Sequence, residues 1–204
     1  MNFLAHSLFA HGNSERIAGQ FAGDFVRGSD LSKFSAGMQL GIRMHRFIDR
    51  YTDHHSATVQ VRDLFKPPVR RFAGIVTDVV FDHYLARDWS SYSSVPLAEH
   101  VSQVHDALAK HDDQLPEALQ RFARFIKREK VLESNVSFDA VVVTLQRLSQ
   151  RSSTFTPLAD GAAVAQEHEA ELLGVFNVLF PELIQAANAH RALLLNQADV
   201  SVDN

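Results

Sequence analysis

No cysteine occurs among the 204 residues of this chain. Disulfides and thiolate metal sites are therefore excluded, and any metal must be held by imidazole and carboxylate. A cysteine-free chain suits the cytoplasm, which is the expected location. No run of about 18 apolar residues is present, so no membrane span is expected. The opening Met1-Asn2-Phe3-Leu4-Ala5-His6 has no basic leader and no cleavage-site pattern, so no signal peptide is expected. A surplus of positive charge is also missing. The net charge of −4 argues against nucleic-acid binding as the main role. There is no Walker loop, dinucleotide fingerprint, nucleophile elbow or HExxH, which removes the commonest nucleotide, hydride-transfer, serine-hydrolase and zinc-protease readings.

What is present is ordinary globular material, 46% hydrophobic and 22% charged, with an unusual complement of 11 histidines. Apolar residues recur at spacings of three and four, which predicts helices throughout and one all-α domain over 1–195, with a disordered tail over 196–204. Ser14 is the expected cap of a helix running to about Val26, with Gly28 just beyond it. A helix is expected over about 35–52, and a short one after Ser56, stopped by Pro67-Pro68. Pro68 then opens a long helix through Asp88. Pro96, Pro116 and Ser137 open three more. A last pattern runs from about Pro157, breaks near Pro181 and resumes to Leu195. The β-branched run Val141-Val142-Val143-Thr144 competes as a strand, but its flanks keep helical period.

Position rather than number makes the polar residues informative. Asp78 and Asp82 stand four apart in the apolar run Val76-Thr77-Asp78-Val79-Val80-Phe81-Asp82-His83, which puts both on one helix face. An ionised carboxylate in an apolar wall needs a cationic partner. His45 and Asp49 repeat the spacing on another helix, with Asp53 a further turn along. A surface ion-pair strip is the competing reading there, because Arg43, Arg46 and Arg50 lie nearby. Asp24 sits between aromatics beside Gly23, and His6 lies in an apolar opening. His83 follows Asp82 and points elsewhere around the helix, as a ligand or a partner of one. His100, His105, His111, His168 and His190 read as surface residues. Carboxylates and imidazoles without thiols suit Mn²⁺, Mg²⁺ or Fe²⁺. With Arg27, Arg43 and Arg46 available to clamp a phosphate, metal-assisted phosphoester hydrolysis is the chemistry the residues favour.

Asn2-Phe3-Leu4-Ala5-His6, Gly23-Asp24-Phe25-Val26-Arg27-Gly28, Met44-His45-Arg46 with Ile48-Asp49, and Asp78-Val79 with Asp82-His83-Tyr84-Leu85 together resemble the bacterial acyl carrier protein phosphodiesterases. The match is dense over residues 1–90 and thins beyond. The resemblance implies a hydrolase that removes 4′-phosphopantetheine from the serine of holo-acyl carrier protein, a place beside fatty acid biosynthesis, Mn²⁺ dependence, and an HD-domain-like helical bundle. The Asp82-His83 order is reversed relative to the His-Asp of HD enzymes. The residues carried over are His6, Asp24, His45, Asp49, Asp78 and Asp82 as metal ligands, with His83 as ligand or proton carrier. Arg27 and Arg46 are the expected phosphate-stabilising arginines.

An acidic carrier protein needs a basic face on a hydrolase of net −4. Lys66, Arg70 and Arg71, just before the helix of Asp78, are preferred over Arg121, Arg124, Lys127, Arg128 and Lys130. Two other readings use the same residues: an HD-type phosphohydrolase acting on a nucleotide, and a non-catalytic helical binding module. The oligomeric state is not legible.

Overall fold

The computed structural model describes residues 1–200. The described residues form α-helices and short 3₁₀ turns with no strand. In chain order the helices are α1 (Phe3–Leu8), α2 (Ser14–Ala22), α3 (Ala36–His54), α4 (Ser56–Val61), α5 (Ala73–Arg87), α6 (Leu97–Lys110), α7 (Glu117–Arg128), α8 (Val131–Ser134), α9 (Phe138–Ser149), α10 (Gly161–Glu167) and α11 (Glu169–Val200). Val141–Thr144 lies inside α9, so neighbouring helical period outweighs the local β preference.

Four helix starts follow from side-chain capping. Ser35 accepts from the Met38 amide at α3, and Ser137 from the Asp139 amide at α9. Two caps differ from expectation by one residue. Asn13, not Ser14, accepts from the Arg16 amide at α2. The His55 ring, not Ser56, accepts from the Ala57 amide at α4. α2 also ends early, at Ala22, and the chain turns through 23–25 toward Gly28, whose φ of +80° favours glycine. The expected long helix after Pro68 divides into a 3₁₀ turn, Val69–Phe72, and α5.

Pro181 does not break the last helix. α11 runs through it to Val200, and the remainder of the expected tail, 201–204, lies outside the described residues. Proline inside a helix costs about 3 kcal/mol. Here Leu179, Phe180 and Leu183 beside it are completely buried, which offsets that cost. α11 is long and apolar enough to cross a membrane by length and composition. Its stripe Leu172, Phe176, Phe180 and Leu183 belongs to the same buried cluster as the apolar faces of α1, α3 and α5.

One close approach sets the frame of the site. A methyl group added at Gly19 of α2 would strike the Met38 carbonyl oxygen and Gly41 of α3, and one at Gly41 would strike the Arg16 carbonyl. The two backbones therefore touch at Gly19 and Gly41, as only glycine allows. The turn after α2 is thereby held against α3, where His45 and Asp49 stand.

Candidate metal centre and adjoining cavity

α3 presents His45 and Asp49 one turn apart, with His45 buried and Asp49 half-exposed. α1 brings His6 against them. The two imidazoles stack with centroids 4.0 Å apart. His6 Nε2 lies 3.0 Å from Asp49 Oδ1, and His45 Nε2 lies 3.0 Å from Asp49 Oδ2. Asp24, on the turn after α2, places Oδ1 3.3 Å from His45 Nε2. Gly23 is required beside it, because a side chain there would run into the His45 ring. Arg46 donates to the Val26 carbonyl at 2.9 Å and so ties this turn to α3. Four of the expected ligands, His6, Asp24, His45 and Asp49, thus converge from three parts of the chain.

The electrostatics of the cluster follow from this crowding. Burial alone would lower the pKa of His45, but hydrogen bonds to Asp24 and Asp49 outweigh it and raise His45 to about 9. Burial and the neighbouring His45 charge lower His6 to about 4. Burial would raise Asp49, but its contacts with His45 and His6 hold it well below the usual carboxylate range. Asp24 is likewise lowered, its hydrogen bond with His45 outweighing burial.

The donor set fits a divalent cation. His6, His45 and Asp49 each offer a ligand atom within 4.8 Å of the others. Gln20 Oε1 lies 3.2 Å from His6 Nδ1 and accepts its proton. That tautomer leaves a lone pair on His6 Nε2, facing an Asp49 oxygen. Two acceptors facing each other need a cation or a proton between them. His45 Nδ1 is also buried without a partner.

α5 uses its pair differently. Asp82 is buried, and its carboxylate accepts from the Leu4 amide at 2.8 Å and the Ala5 amide at 3.1 Å. These are free amides of the first turn of α1, whose own N-cap Asn2 makes no side-chain cap. Asp82 therefore caps α1 across the core, and burial raises its pKa to about 7 against those two bonds. Asp78 Oδ1 is 2.9 Å from the Met1 α-ammonium, which is also 3.9 Å from Asp49. Burial on its protein side raises Asp78 against the pull of that ammonium.

The remaining expected site residues stand elsewhere. His83 Nδ1 lies 2.8 Å from the Asn135 carbonyl, and its ring meets Phe138 edge-on. It points away from the cluster because adjacent helical residues diverge by about 100°. Arg27 is exposed near the end of the turn that carries Asp24. Arg70 pairs with Asp63 at 2.6 Å, Arg71 donates to the Thr154 carbonyl, and Lys66 is exposed. His100, His105 and His111, expected on the surface, are buried instead. His100 Nε2 lies 2.7 Å from Ser7 Oγ and braces α1 from its other side.

A cavity of about 520 Å³ opens beside the cluster. One helical face of each of α5, α7 and α9 lines it: Asp78, Val79 and Asp82; Phe122 and Phe125; and Thr144, Arg147, Leu148 and Arg151 running on past the end of α9. Residues of α1, of the turn after α2 and of α8 and its end, among them Phe3, Asp24, Phe25, Leu132 and Asn135, complete the wall. Sequence reading missed Gln20, Asn135 and the α9 face. The one available signal was Thr144, Arg147, Leu148 and Arg151 at intervals of three and four.

The chain matches the family model described as acyl carrier protein phosphodiesterase over residues 1–183. It is similar to the acyl carrier protein phosphodiesterase of Photorhabdus laumondii, 30% identical over 92% of this chain and 95% of that protein. It is also similar to the proteins of that name from Enterobacter, at 31% identity over 92% and 98%, and from Salmonella agona, at 32% over 95% and 100%. No solved structure matches. A family model covering most of the chain, with relatives of about 30% identity along nearly its whole length, identifies the chain as a member of the acyl carrier protein phosphodiesterase family.

Proposed function

We propose that this enzyme hydrolyses the phosphodiester joining 4′-phosphopantetheine to the serine of holo-acyl carrier protein. The observation that carries the reading is shared membership: Asp24 and Asp78 contact the His6, His45 and Asp49 cluster or its bridging ammonium, and both line the cavity. A substrate phosphate entering by that cavity meets Asp24 and Asp78 at the edge of the cluster. The similarity to proteins named for this activity supports the same substrate.

A divalent ion, Mn²⁺ by preference, would be held by His6, His45 and Asp49 with Asp24 beside them, where it supplies Lewis-acid polarisation of a phosphoryl oxygen and acidifies water. The chain's own residues do the rest. Gln20 fixes the His6 tautomer, and Asp82 and His100 hold α1 so that His6 stays against α3. Asp78, open to the cavity and raised by burial above the ordinary carboxylate value, relays the proton of the attacking water. The water oxygen bonds to phosphorus, the bond from phosphorus to the serine oxygen breaks, and the proton ends on the serine. The products are apo-carrier protein and 4′-phosphopantetheine.

Docking of the acidic carrier protein falls to Lys66, Arg70 and Arg71, extended by Arg151 and Arg147 at the cavity. Arg71 reaches the Thr154 carbonyl, three residues past Arg151, so the two groups adjoin. The reaction belongs to the cytoplasm on this reading, since the chain has no cysteine and its substrate is a carrier of fatty acid biosynthesis. The test is incubation with holo-carrier protein and Mn²⁺, read by mass loss of the prosthetic arm. Release that stops with a chelator, and that a free nucleotide does not compete, supports it. An unchanged carrier mass overturns it.

A further inference from the structure

We infer that the cavity wall built by α7 and α9 is the binding site for the pantetheine portion of the arm. This rests on the proposed function and adds to it where the departing group lies and which residues measure it. The cavity has the size of a pocket for a small organic ligand, about 520 Å³. Asp24 and Asp78 join it to the reacting cluster, Phe122, Phe125 and Leu148 supply apolar wall, and Arg147 and Arg151 supply positive charge.

Pantetheine matches this mixture of surfaces. Next to the phosphate it carries a branched, dimethylated carbon that wants apolar contact. Two amides follow, which want a few polar groups in an otherwise apolar channel. Thr144 and Asn135 supply them. Asn135 is fixed by its carbonyl's hydrogen bond with His83, so His83 acts as a positioning residue for the channel. The guanidiniums of Arg147 and Arg128 lie over the Phe125 ring, 5.4 and 5.9 Å from its centroid. Arg147 is itself paired with Glu129 at 2.8 Å. These contacts hold Phe125 in place on the wall. An uncharged arm with two amides fills the cavity beside it.

The experiment narrows the channel without touching the cluster. Leu148→Trp fills it from α9, and Thr144→Phe does so one turn earlier. Holo-carrier hydrolysis is measured with each, alongside inhibition by free 4′-phosphopantetheine, metal content and far-ultraviolet circular dichroism. The expected result is a fall of about tenfold or more in kcat/KM, with a matching rise in the inhibition constant of 4′-phosphopantetheine. Metal content and helicity stay at wild-type levels. If Leu148→Trp does not fold, Thr144→Phe decides the outcome. Folded, metal-loaded variants that keep wild-type kcat/KM and wild-type inhibition overturn the arm site while leaving the proposed function standing. A wild-type enzyme that releases no 4′-phosphopantetheine overturns the function itself.

Discussion

α3 and α5 each carry two polar side chains four residues apart on a largely apolar background, and the fold gives the two pairs different work. On α3, His45 and Asp49 both face the cluster, within reach of His6 and Asp24. On α5, Asp82 is occupied by two backbone amides of α1, and Asp78 by the α-ammonium at the cavity edge. Spacing defines a shared face. What arrives opposite that face decides whether a carboxylate meets imidazoles or caps a helix. For α3 the arrival is a second imidazole, and for α5 it is a helix start that lacks a side-chain cap of its own.

The sharpest way to break this comparison is to remove one carboxylate from each helix. Asp49→Ala takes away the residue that both imidazoles contact. It should remove metal binding and lower hydrolysis by about a thousandfold or more, as expected when a metal site is dismantled. With metal absent the melting temperature should also fall, because the His45 ion pair then keeps only Asp24. Asp82→Ala should keep its metal and lose more stability. It strands two amides of α1 and should cost about 3 kcal/mol of stability. Chemical denaturation of the metal-free proteins, with metal content measured in parallel, separates the two. If Asp82→Ala keeps wild-type stability and loses its metal, Asp82 is a ligand and the contrast between the helices collapses.

A pH scan of chelated protein sharpens the account of α3. The folded value of His45, about 9, lies above its ordinary 6.5. Its stabilising contribution is therefore complete below pH 6.5 and lost as the pH rises toward 9. His6, lowered from 6.5 to about 4, acts in the opposite sense, because the folded protein resists its protonation. Stability is lost there as the pH falls from 6.5 toward 4. Each limb amounts to about 3 kcal/mol. Asp82, raised from 3.8 to about 7, opposes the His6 limb, because its ionisation in the folded protein costs stability as the pH rises toward 7. The readable limb is therefore the alkaline one, and saturating divalent ion should erase it, because the ion replaces the His45 proton. A melting temperature flat from pH 6.5 to 9 without metal would remove the ion pair from the cluster.

How much of this was legible follows from the kind of signal each residue leaves. The all-α fold was legible because helical period persists across the chain, even through Val141–Thr144. The convergence of His6, Asp24, His45 and Asp49 was legible because each is a charged or imidazole group in apolar company near the start of the chain. The job of Asp82 was not, since a cap supplied from 78 residues away leaves no local pattern. Pro181 misled because local proline chemistry ignores the burial around it. His100, His105 and His111 misled in the other direction: polar neighbours in sequence became solvent-facing neighbours in space while the imidazoles turned inward. The cavity was invisible because it is made by several faces that no single segment contains.

The smallest expected effect concerns the cations on either side of this contrast. Lys66, Arg70 and Arg71 lead into α5, the helix that serves as scaffold, whereas Arg147 and Arg151 line the cavity itself. Arg70 already pairs with Asp63, and Arg71 is committed to the Thr154 carbonyl, so less of their charge is free to meet an acidic partner. Neutralising Arg147 and Arg151 together should raise KM for holo-carrier protein by about tenfold and flatten its salt dependence. Neutralising Lys66, Arg70 and Arg71 should raise KM by about threefold, with kcat preserved in both cases because neither group touches the cluster. The comparison is made at low and at physiological ionic strength, since rim charges act through long-range attraction that salt screens. A larger effect from Lys66, Arg70 and Arg71 would move the docking centre toward the start of α5, and that helix would then guide the partner as well as hold α1.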